Sequence, residues 1–206
     1  MSKTIVGEDG KARCRWCAVA PEYLAYHDNE WGFPVADDQR LFEKLALEGF
    51  QSGLSWRTIL AKRDNFRAAF QGFDIERVAR FGARDVKRLL ADAGIVRHRG
   101  KIEAVINNAR RALELVEREG SLAAFIWRYE PDAKKLEKAQ TISTSGESIA
   151  LSKDLKKLGW AFVGPTTVYA FMQAMGLVND HVEDCVIHRR VEKARKSFRR
   201  PAPPKS

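Results

Sequence analysis

The segment that decides the predicted fold is Leu89-Leu90-Ala91-Asp92-Ala93-Gly94-Ile95-Val96-Arg97, followed by His98 and then Arg99-Gly100-Lys101-Ile102. A helix ends near Ala91, a short apolar turn with Gly94 follows, and a second helix begins at Arg99. Such a connection can present backbone N–H groups and a helix N-terminus to a phosphate, and Arg97, Arg99 and Lys101 would add positive charge. The alternative is an ordinary helix–helix turn with glycine just past the helix end.

Apolar residues recur at helical spacing along the rest of the chain, and we find no convincing strand-like alternation. The pattern therefore predicts an all-α fold. The predicted helices run over 37–50, 56–70, 74–81, 83–91, 99–119, 121–129, 148–158 and 166–175. Asp74 is a plausible N-cap for the short helix that follows it. The polar segment from Lys134 to Ser145 is expected to be rich in loops.

The net charge of +9 is concentrated at the C-terminus. Residues 189–206 contain eight Lys or Arg against Glu192, hence +7, which leaves +2 for residues 1–188. Such a basic tail is more often a disordered electrostatic arm than a specific DNA-reading element. We expect a flexible N-terminus over 1–11, one helical domain with two lobes over 12–188, and a disordered tail over 189–206.

The sequence contains no signal that directs it to a membrane. No apolar run approaches the roughly 20 residues of a membrane span. Residues 1–11 are polar and lack the apolar core of a signal peptide. Three cysteines, an odd and small number, argue against a disulfide framework. A cytoplasmic location without a membrane partner is the default expectation.

Glu48 lies in a stretch of apolar and aromatic residues, Leu47-Glu48-Gly49-Phe50-Gln51-Ser52-Gly53-Leu54-Ser55-Trp56. Further aromatic residues precede it in the N-terminal quarter of the chain, namely Trp16, Tyr23, Tyr26 and Trp31. One carboxylate among aromatic rings suits recognition of a flat cationic ring, because the rings stack and attract the charge while the acid accepts hydrogen bonds. The alternative is an ordinary aromatic core with a partly solvated glutamate.

Cysteine and histidine occur at spacings that suit a metal ion. His181 and Cys185 are four residues apart and could share one helical face. Two partners are possible for this pair: Cys14 with Cys17, or Cys14 with His27. Four protein ligands would leave no position for water, so the ion would be structural. The alternative is a set of unligated thiols and imidazoles.

Several long strings in the chain resemble the 3-methyladenine DNA glycosylase I family of bacterial alkylation-repair enzymes. They are Arg13-Cys14-x-Trp16, Tyr26-His27-Asp28-Asn29-Glu30-Trp31-Gly32, Leu47-Glu48-Gly49, Gly53-Leu54-Ser55-Trp56, Asp92-Ala93-Gly94-Ile95 with Arg97-His98-Arg99-Gly100-Lys101-Ile102, Phe162-Val163-Gly164, and Gly176-Leu177-Val178-Asn179-Asp180-His181. Together they cover roughly residues 12 to 185 in order.

The resemblance implies a helix–hairpin–helix glycosylase fold and one structural Zn²⁺ that joins the N- and C-terminal segments. Its implied ligands are Cys14, His27, His181 and Cys185, which leaves Cys17 outside the site. The implied base pocket consists of Glu48 as the catalytic candidate and of Trp16, Tyr23, Tyr26, Trp31 and Trp56 as base-binding residues. The wider superfamily has a catalytic aspartate after the hairpin, and this subfamily lacks it.

The implied reaction is the hydrolytic, monofunctional excision of 3-methyladenine from alkylated double-stranded DNA, with no small-molecule cofactor and a monomeric enzyme. DNA contacts are expected from Leu54, as a wedge into the gap that the flipped base leaves, and from Gly94, Arg97, Arg99 and Lys101. A helix–helix turn is the alternative interpretation of the Leu54 segment. Two other classes of function are a non-catalytic zinc-stapled DNA-binding module and a metal-dependent nucleic-acid hydrolase.

Overall fold

The fold is mostly helical, as a computed structural model that describes residues 2–132 and 138–202 shows. The α-helices, numbered in chain order, are α1 (Pro21–Asn29), α2 (Asp38–Gln51), α3 (Trp56–Ala61), α4 (Arg63–Ala69), α5 (Ile75–Ala79), α6 (Ala83–Ala91), α7 (Arg99–Glu119), α8 (Leu122–Ile126), α9 (Gly146–Lys157), α10 (Pro165–Ala174) and α11 (His188–Ser197). Short 3-10 helices occupy Arg15–Val19, Gln71–Phe73 and Trp127–Tyr129. Within the described ranges, no helix is long and apolar enough to cross a lipid bilayer.

Most of the predicted helices are confirmed, since α2, α5 to α10 all lie where the apolar spacing placed a helix. The N-cap is confirmed too, because the Asp74 carboxylate accepts a hydrogen bond from the Arg77 backbone N–H at 3.0 Å. The single helix predicted over 56–70 is wrong. The chain leaves helical geometry at Lys62, with φ −102° and ψ 2°, and this break separates α3 from α4.

A short β-hairpin at the N-terminus departs from the all-α prediction. Strand β1 (Thr4–Val6) pairs in antiparallel register with β2 (Ala12–Cys14), so Thr4 lies opposite Cys14. Three residues per strand are too few to produce a visible alternation in the sequence. The segment predicted to be flexible is thus paired in part, and Met1 lies outside the described residues.

Helix α11 replaces the first half of the predicted disordered tail. Val191 and Arg195, four residues apart, form its buried stripe. The Arg195 guanidinium donates to the Gly176 carbonyl and pairs with Glu130 at 3.0 Å. A stripe of only two residues among many charged ones is too weak a pattern to predict a helix from the sequence. The prediction that this part of the tail is disordered is wrong. Residues 203–206 of the tail and 133–137 of the predicted loop lie outside the described residues.

The core forms around α2, α7 and α10. Helix α7 packs on α5, α6 and α8, while α10 packs on α2 and α9. Large side chains with almost no exposed surface fill the space between them, among them Phe42, Phe50, Phe66, Phe70, Phe73 and Phe171. This core holds α2, the helix with Glu48, against α10 and the segment after it.

Gly176 permits a close approach between the end of α10 and the segment that follows α1. Its φ is +79°, and a Cβ there would lie 2.5 Å from both the Cα and the nitrogen of Pro34. Side chains other than glycine rarely adopt this backbone conformation, and the overlap is with backbone that cannot rotate away. Only glycine therefore fits this position without displacing the chain.

Gly176→Ala is expected to lower the free energy of unfolding by more than about 3 kcal/mol, since it combines backbone strain with overlap. Gly10→Ala is the matched control, because Gly10 has φ +72° but, among the described residues, no heavy atom lies within 4 Å of the added Cβ. Its expected cost is about 1 kcal/mol. Urea unfolding of both variants measures the difference in the free energy of unfolding. Equal decreases in the two variants would mean that the chain shifts at Pro34 and relieves the overlap.

Candidate functional site

One cavity of about 440 Å³ brings together all six residues of the predicted pocket. Its wall includes Trp16, Tyr23, Tyr26, Trp31, Glu48 and Trp56, together with residues that the sequence analysis missed, namely Gln51, Gln140, Ile142, Ala170, Gln173 and Asp180. The cavity therefore lies between the N-terminal aromatic segment, α2, and the end of α10. Glu48 is 5% exposed and lies in the wall of this cavity, which favours a pocket residue over a partly solvated glutamate in an ordinary core.

Helix α1 positions much of the aromatic wall. Tyr23 and Tyr26 are three residues apart and point to the pocket, whereas His27 points away from it toward a buried cysteine. One face of the helix thus contributes to the pocket and another to the cysteine, while Leu24 is exposed. No single apolar stripe exists in this helix, which explains why the sequence did not predict it.

The rings of the wall pack edge to face. Trp16 contacts Trp31 at 5.0 Å between ring centroids and Tyr23 at 5.6 Å. Tyr26 and Trp56 are tilted by 43° at 5.4 Å. In this arrangement each ring is held by its neighbours. Burial raises the pKa of Tyr26 well above its ordinary value, which keeps its hydroxyl neutral.

Lys44, which the sequence analysis missed, contacts three residues of the pocket wall. It lies one turn before Glu48 on α2, and its Nζ is 2.7 Å from Glu48 Oε1. The same ammonium donates to the Tyr26 hydroxyl at 2.8 Å and lies 3.3 Å from the ring centroid of Trp56. Burial lowers the pKa of Lys44, and the neighbouring Glu48 carboxylate opposes that shift. The signal in the sequence was the i,i+4 spacing of Lys44 and Glu48.

Asp180 is a second acid at the pocket wall. It is 4% exposed, and its two carboxylate oxygens accept hydrogen bonds from the Gln140 backbone N–H at 2.8 Å and from Gln173 Nε2 at 2.5 Å. Burial raises the pKa of Asp180, and these hydrogen bonds reduce the shift. Both oxygens are thus engaged, so Asp180 fixes the two glutamines.

A groove leads from the pocket to Leu54. Glu48, Gln51 and Ala170 line both the pocket and this groove of about 290 Å³, which continues along the turn between α2 and α3. Leu54 is 43% exposed on that turn. Gly53, just before it, has φ +78°, and no atom of the described residues lies within 4 Å of the position that a Cβ would take there. The predicted wedge residue therefore lies at the open end of a groove that begins at Glu48.

The turn between α6 and α7 is tied to α4 and to the residue before it. Lys62 Nζ donates to the carbonyls of Ala93 and Gly94 at 3.1 and 3.2 Å, and Asn65 Nδ2 donates to Gly94 at 3.3 Å. The His98 side chain caps α7 by accepting from the Lys101 backbone N–H at 3.2 Å. These bonds give the turn one fixed shape. A Cβ on Gly94 would lie 2.9 Å from Asp92 Oδ1, the atom that accepts a hydrogen bond from the Gly94 backbone N–H, so a side chain there would displace Asp92.

The predicted DNA contacts from this turn divide into exposed and buried residues. Arg97 and Arg99 are exposed, and Arg99 makes one surface ion pair with Glu103 at 3.2 Å. Lys101 is buried, and its Nζ donates to the carbonyls of Phe50 at 2.9 Å and Ser52 at 2.5 Å. The prediction that Lys101 contacts phosphate is wrong, since its ammonium satisfies carbonyls at the C-terminal end of α2.

A buried cluster joins the two ends of the chain. The side-chain donor atoms of Cys14, His27, His181 and Cys185 all lie within 4.8 Å of one another, and such a cluster could bind a metal ion. Cys14 Sγ is 3.7 Å from His181 Nδ1, and Cys185 Sγ is 3.5 Å from His27 Nε2. His181 and Cys185 belong to a turn before α11, so the predicted shared helical face is wrong although the side chains still converge.

In both histidines, the ring nitrogen that faces away from the cysteines donates a hydrogen bond to an oxygen atom. His27 Nδ1 donates to Asp28 at 2.7 Å, and His181 Nε2 donates to the Trp31 carbonyl at 2.9 Å. The other ring nitrogen of each histidine, His27 Nε2 and His181 Nδ1, faces the cysteine sulfurs, as a metal ligand would. Arg13 contacts Asp28 at 3.0 Å and fixes the acid. Cys17 is buried but does not belong to the cluster.

Comparison with known proteins identifies the family. The sequence profile of the methyladenine glycosylase family matches residues 16–189. The chain belongs to this family. It is therefore a glycosylase, and the resemblance noted in the sequence is confirmed.

Individual members of the family agree with this assignment. The chain is 50% identical over 177 residues to DNA-3-methyladenine glycosylase 1 of Escherichia coli K12, an alignment that covers 84% of this chain and 95% of the relative. A crystal structure of 3-methyladenine DNA glycosylase I aligns with a TM-score of 0.80 and 49% identity over 85% of this chain and 99% of the other. A tyrosine-to-phenylalanine variant of such an enzyme, solved in complex with 3-methyladenine, aligns with a TM-score of 0.77 and 40% identity over 82% and 95%.

Because Cys14 belongs to the cluster that could bind a metal ion, Cys14→Ser is expected to lower the affinity of this glycosylase for such an ion by more than about hundredfold, which exceeds the effect of losing an outer-shell partner. Cys17→Ser is the matched control, since Cys17, like Cys14, is buried and forms no disulfide. The metal content of each purified protein by elemental analysis, together with its melting temperature, tests the prediction. Metal loss in Cys17→Ser, with retention in Cys14→Ser, would reject the ligand set.

Proposed function

We propose that this chain excises 3-methyladenine from alkylated double-stranded DNA by hydrolysis and leaves an abasic site. The observation that carries the proposal is the cavity in which Glu48 faces an aromatic wall. Its volume and flat aromatic sides suit one purine. A related glycosylase solved with 3-methyladenine bound supports this choice of ligand.

The chemistry of the lesion reduces what the protein must supply. Methylation at N3 places a positive charge on adenine in the nucleotide, so the glycosidic bond is already weakened. A cationic base departs without protonation by a general acid, which a neutral base would need. The enzyme's main tasks are therefore extrusion of the nucleotide, recognition of the base and exclusion of water from it.

Each pocket residue has a role in the proposed recognition. Trp16, Tyr26 and Trp56 stack on the base, with Tyr23 and Trp31 completing the wall. Glu48 accepts a hydrogen bond from the exocyclic amine or the ring edge. The Lys44 ammonium forms an ion pair with Glu48 Oε1. Among the described residues, no hydrogen bond is made to the other carboxylate oxygen, Oε2. That oxygen is available to the base.

We infer monofunctional hydrolysis, in which water attacks the sugar carbon and no lysine forms a Schiff base. Lys44 is the lysine next to the pocket, and its ammonium already contacts a carboxylate, a hydroxyl and an indole ring. An ammonium held by an ion pair is a poor nucleophile, since the free amine is the reactive form. Lys101 is similarly engaged by two carbonyls.

The proposed DNA-binding surface consists of the α2–α3 turn and the α6–α7 connection. Leu54 enters the duplex and fills the gap left by the flipped base. The connection over 92–98 acts as a helix–hairpin–helix element whose backbone contacts a phosphate. Its fixed shape and the exposed Arg97 and Arg99 support this role.

We propose that the Cys/His cluster holds one structural Zn²⁺. Tetrahedral zinc with ordinary bond lengths separates sulfur and nitrogen ligands by about 3.6 Å. Three sulfur–nitrogen distances in the cluster, Cys14–His181, Cys185–His27 and Cys185–His181, are 3.5 to 3.7 Å and fit this value. The ion would supply a cross-link between Cys14 and Cys185 and no step of the reaction.

The remaining expectations concern the protein in the cell. We propose a cytoplasmic monomer that needs no small-molecule cofactor and works through residues 12–188. A zinc-stapled DNA-binding module without catalysis has less support, since such a module has no use for a purine-sized cavity with a carboxylate in its wall.

Release of free 3-methyladenine from methylated duplex DNA, identified by chromatography, tests the proposal directly. Glu48→Gln is expected to slow release by about tenfold to hundredfold, since a hydrogen bond to a charged group contributes about 1.5–3 kcal/mol. Glu43→Gln on the same helix is the control, because Glu43 pairs with Arg67 and does not line the pocket. Absence of release from the wild type would reject the proposal.

Leu54→Ala is expected to slow excision from duplex DNA about tenfold, because a shortened wedge fills the gap poorly. Binding of free 3-methyladenine should stay unchanged, since Leu54 does not line the pocket. Leu24→Ala provides the control, with a leucine of similar exposure, 45% against 43%. An unchanged rate in Leu54→Ala would remove Leu54 from the DNA-binding surface.

A further inference from the structure

Phe162 combines a strained backbone with an exposed aromatic ring. Its φ is +56°, in the left-handed region that costs free energy for any residue with a Cβ. The residue is 40% exposed, although phenylalanine is among the residue types that folding most often buries. Such strain persists only where the surrounding structure enforces it, and it is concentrated at functional sites.

Two other residues with a positive φ in the described part of the chain, Phe73 and Gln140, have evident reasons for their conformation. Phe73, with φ +58°, is fully buried and stacks on Phe70 at 5.3 Å between ring centroids. Gln140, with φ +57°, is bonded to Asp180 through both its backbone N–H and its side chain. Core packing does not explain Phe162 in the same way, since much of its surface remains in solvent.

Buried polar side chains hold the residues on both sides of Phe162. Asn108 on α7 donates to the Ala161 carbonyl and accepts from the Ala161 N–H, both at 2.9 Å. Ser152 on α9 donates to the Val163 carbonyl at 2.6 Å. Asn108 and Ser152 are both buried. Two helices therefore fix the backbone around Phe162, and its ring is kept at the surface.

The ring lies between the two elements of the proposed DNA-binding surface. It packs edge to face on His98, at 6.2 Å between ring centroids, and His98 caps α7 after the connection over 92–98. The Cβ of Phe162 is 3.4 Å from the position that a Cβ on Gly49 of α2 would take. Helix α2 leads into the turn with Leu54. Phe162 is thus next to the proposed phosphate contact and to the helix that precedes the proposed wedge.

The chain after Phe162 leads into the groove that ends at Leu54. Helix α10 begins at Pro165, and Thr166 and Thr167 in its first turn line that groove together with Leu54. Residues that follow Phe162 by only a few positions therefore border the same open surface as the proposed wedge.

We propose that Phe162 is a second apolar wedge, whose ring enters the duplex beside Leu54 and stacks on a base next to the flipped nucleotide. Flipping removes one stacking partner of each neighbouring base, and a flat aromatic ring can replace the lost contact. Phenylalanine and leucine are both among the side chains that proteins insert between base steps. The inference rests on the proposed function, since it requires a duplex with a flipped nucleotide.

The first test compares the affinities for two labelled duplexes by fluorescence anisotropy: one with a tetrahydrofuran abasic site, where a base is already missing, and the same duplex intact. Phe162→Ala should bind the abasic duplex on the order of tenfold more weakly than the wild type, because stacking of one ring on a base is lost. Affinity for the intact duplex should stay unchanged, since all its bases are stacked. Phe162→Tyr, which keeps the ring, should bind both duplexes as the wild type does.

A residue that only supported the α6–α7 connection would give a different result. That connection is proposed to contact phosphate, which both duplexes contain, so its distortion would weaken binding to both equally. Equal losses for the two duplexes in Phe162→Ala would therefore overturn the inference.

The second test separates the ring from the strained backbone. Phe162→Gly and Phe162→Ala both remove the ring, but only glycine relieves the left-handed conformation. Phe162→Gly should therefore melt at a higher temperature than Phe162→Ala, while both variants lose the same affinity for the abasic duplex. If Phe162→Ala does not fold, Phe162→Gly still provides the comparison of the two duplexes.

Leu113→Ala is the control for removal of an exposed apolar side chain. Leu113 is 37% exposed, close to Phe162, and it lies on α7 about 21 Å along the helix axis from Arg99. This variant should bind both duplexes as the wild type does. A loss of abasic-duplex affinity as large as that of Phe162→Ala would show that the effect is not specific to Phe162 and would overturn the inference.

The outcomes separate this inference from the proposed function. A wild type that binds neither duplex and releases no 3-methyladenine from methylated DNA would overturn both. Normal release by the wild type, with unchanged abasic-duplex affinity in Phe162→Gly, would overturn the inference alone. A selective loss of abasic-duplex affinity in Phe162→Gly, with no base release by the wild type, would support the wedge and reject the proposed excision.

Discussion

The convergence of Cys14, His27, His181 and Cys185 is the constraint on which the rest of the site depends. It joins residues 167 positions apart in the sequence, and it does so next to the aromatic wall. His181 donates to the Trp31 carbonyl, and the ring of Trp16 packs on His27 at 5.3 Å. The cluster thus fixes the two indoles that the N-terminal segment contributes to the pocket.

The opposite wall depends on α2, which is fixed by charge as well as by packing. Lys101 satisfies the carbonyls of Phe50 and Ser52 at its C-terminal end, and Lys44 pairs with Glu48 one turn earlier. A buried ammonium is costly unless hydrogen bonds compensate it, and both lysines meet this condition. Two buried lysines therefore bind this helix, one at the carbonyls of its C-terminal end and one at its pocket carboxylate.

A pocket built in this way suits the flat purine that we propose as its ligand. The aromatic rings supply contact area, and Glu48 supplies directional hydrogen bonding. Lys44 contacts both Glu48 and one face of Trp56, and so holds these two pocket residues in place.

The sequence by itself determined the helical pattern, the ligand-type residues and the pocket-type residues. Helices α6 and α7 matched their predicted bounds because their apolar residues follow a clear period and end at strong signals. Periodicity did not predict α1 and α11, since their inward residues serve two different sites or form a stripe of only two. The resemblance to a family then separated Cys17 from the cluster, which spacing alone could not do.

Only the tertiary structure decided the electrostatics of the site. Lys44, Lys101 and Asp180 were all visible as charged residues, and the sequence did not show which of them is buried or what each one contacts. Burial and pairing depend on elements far apart in the chain, such as α7 against the end of α2. The effect of a charged side chain depends on its burial and on the charges and hydrogen-bonding groups around it. The roles of these residues could therefore be assigned only from the tertiary structure.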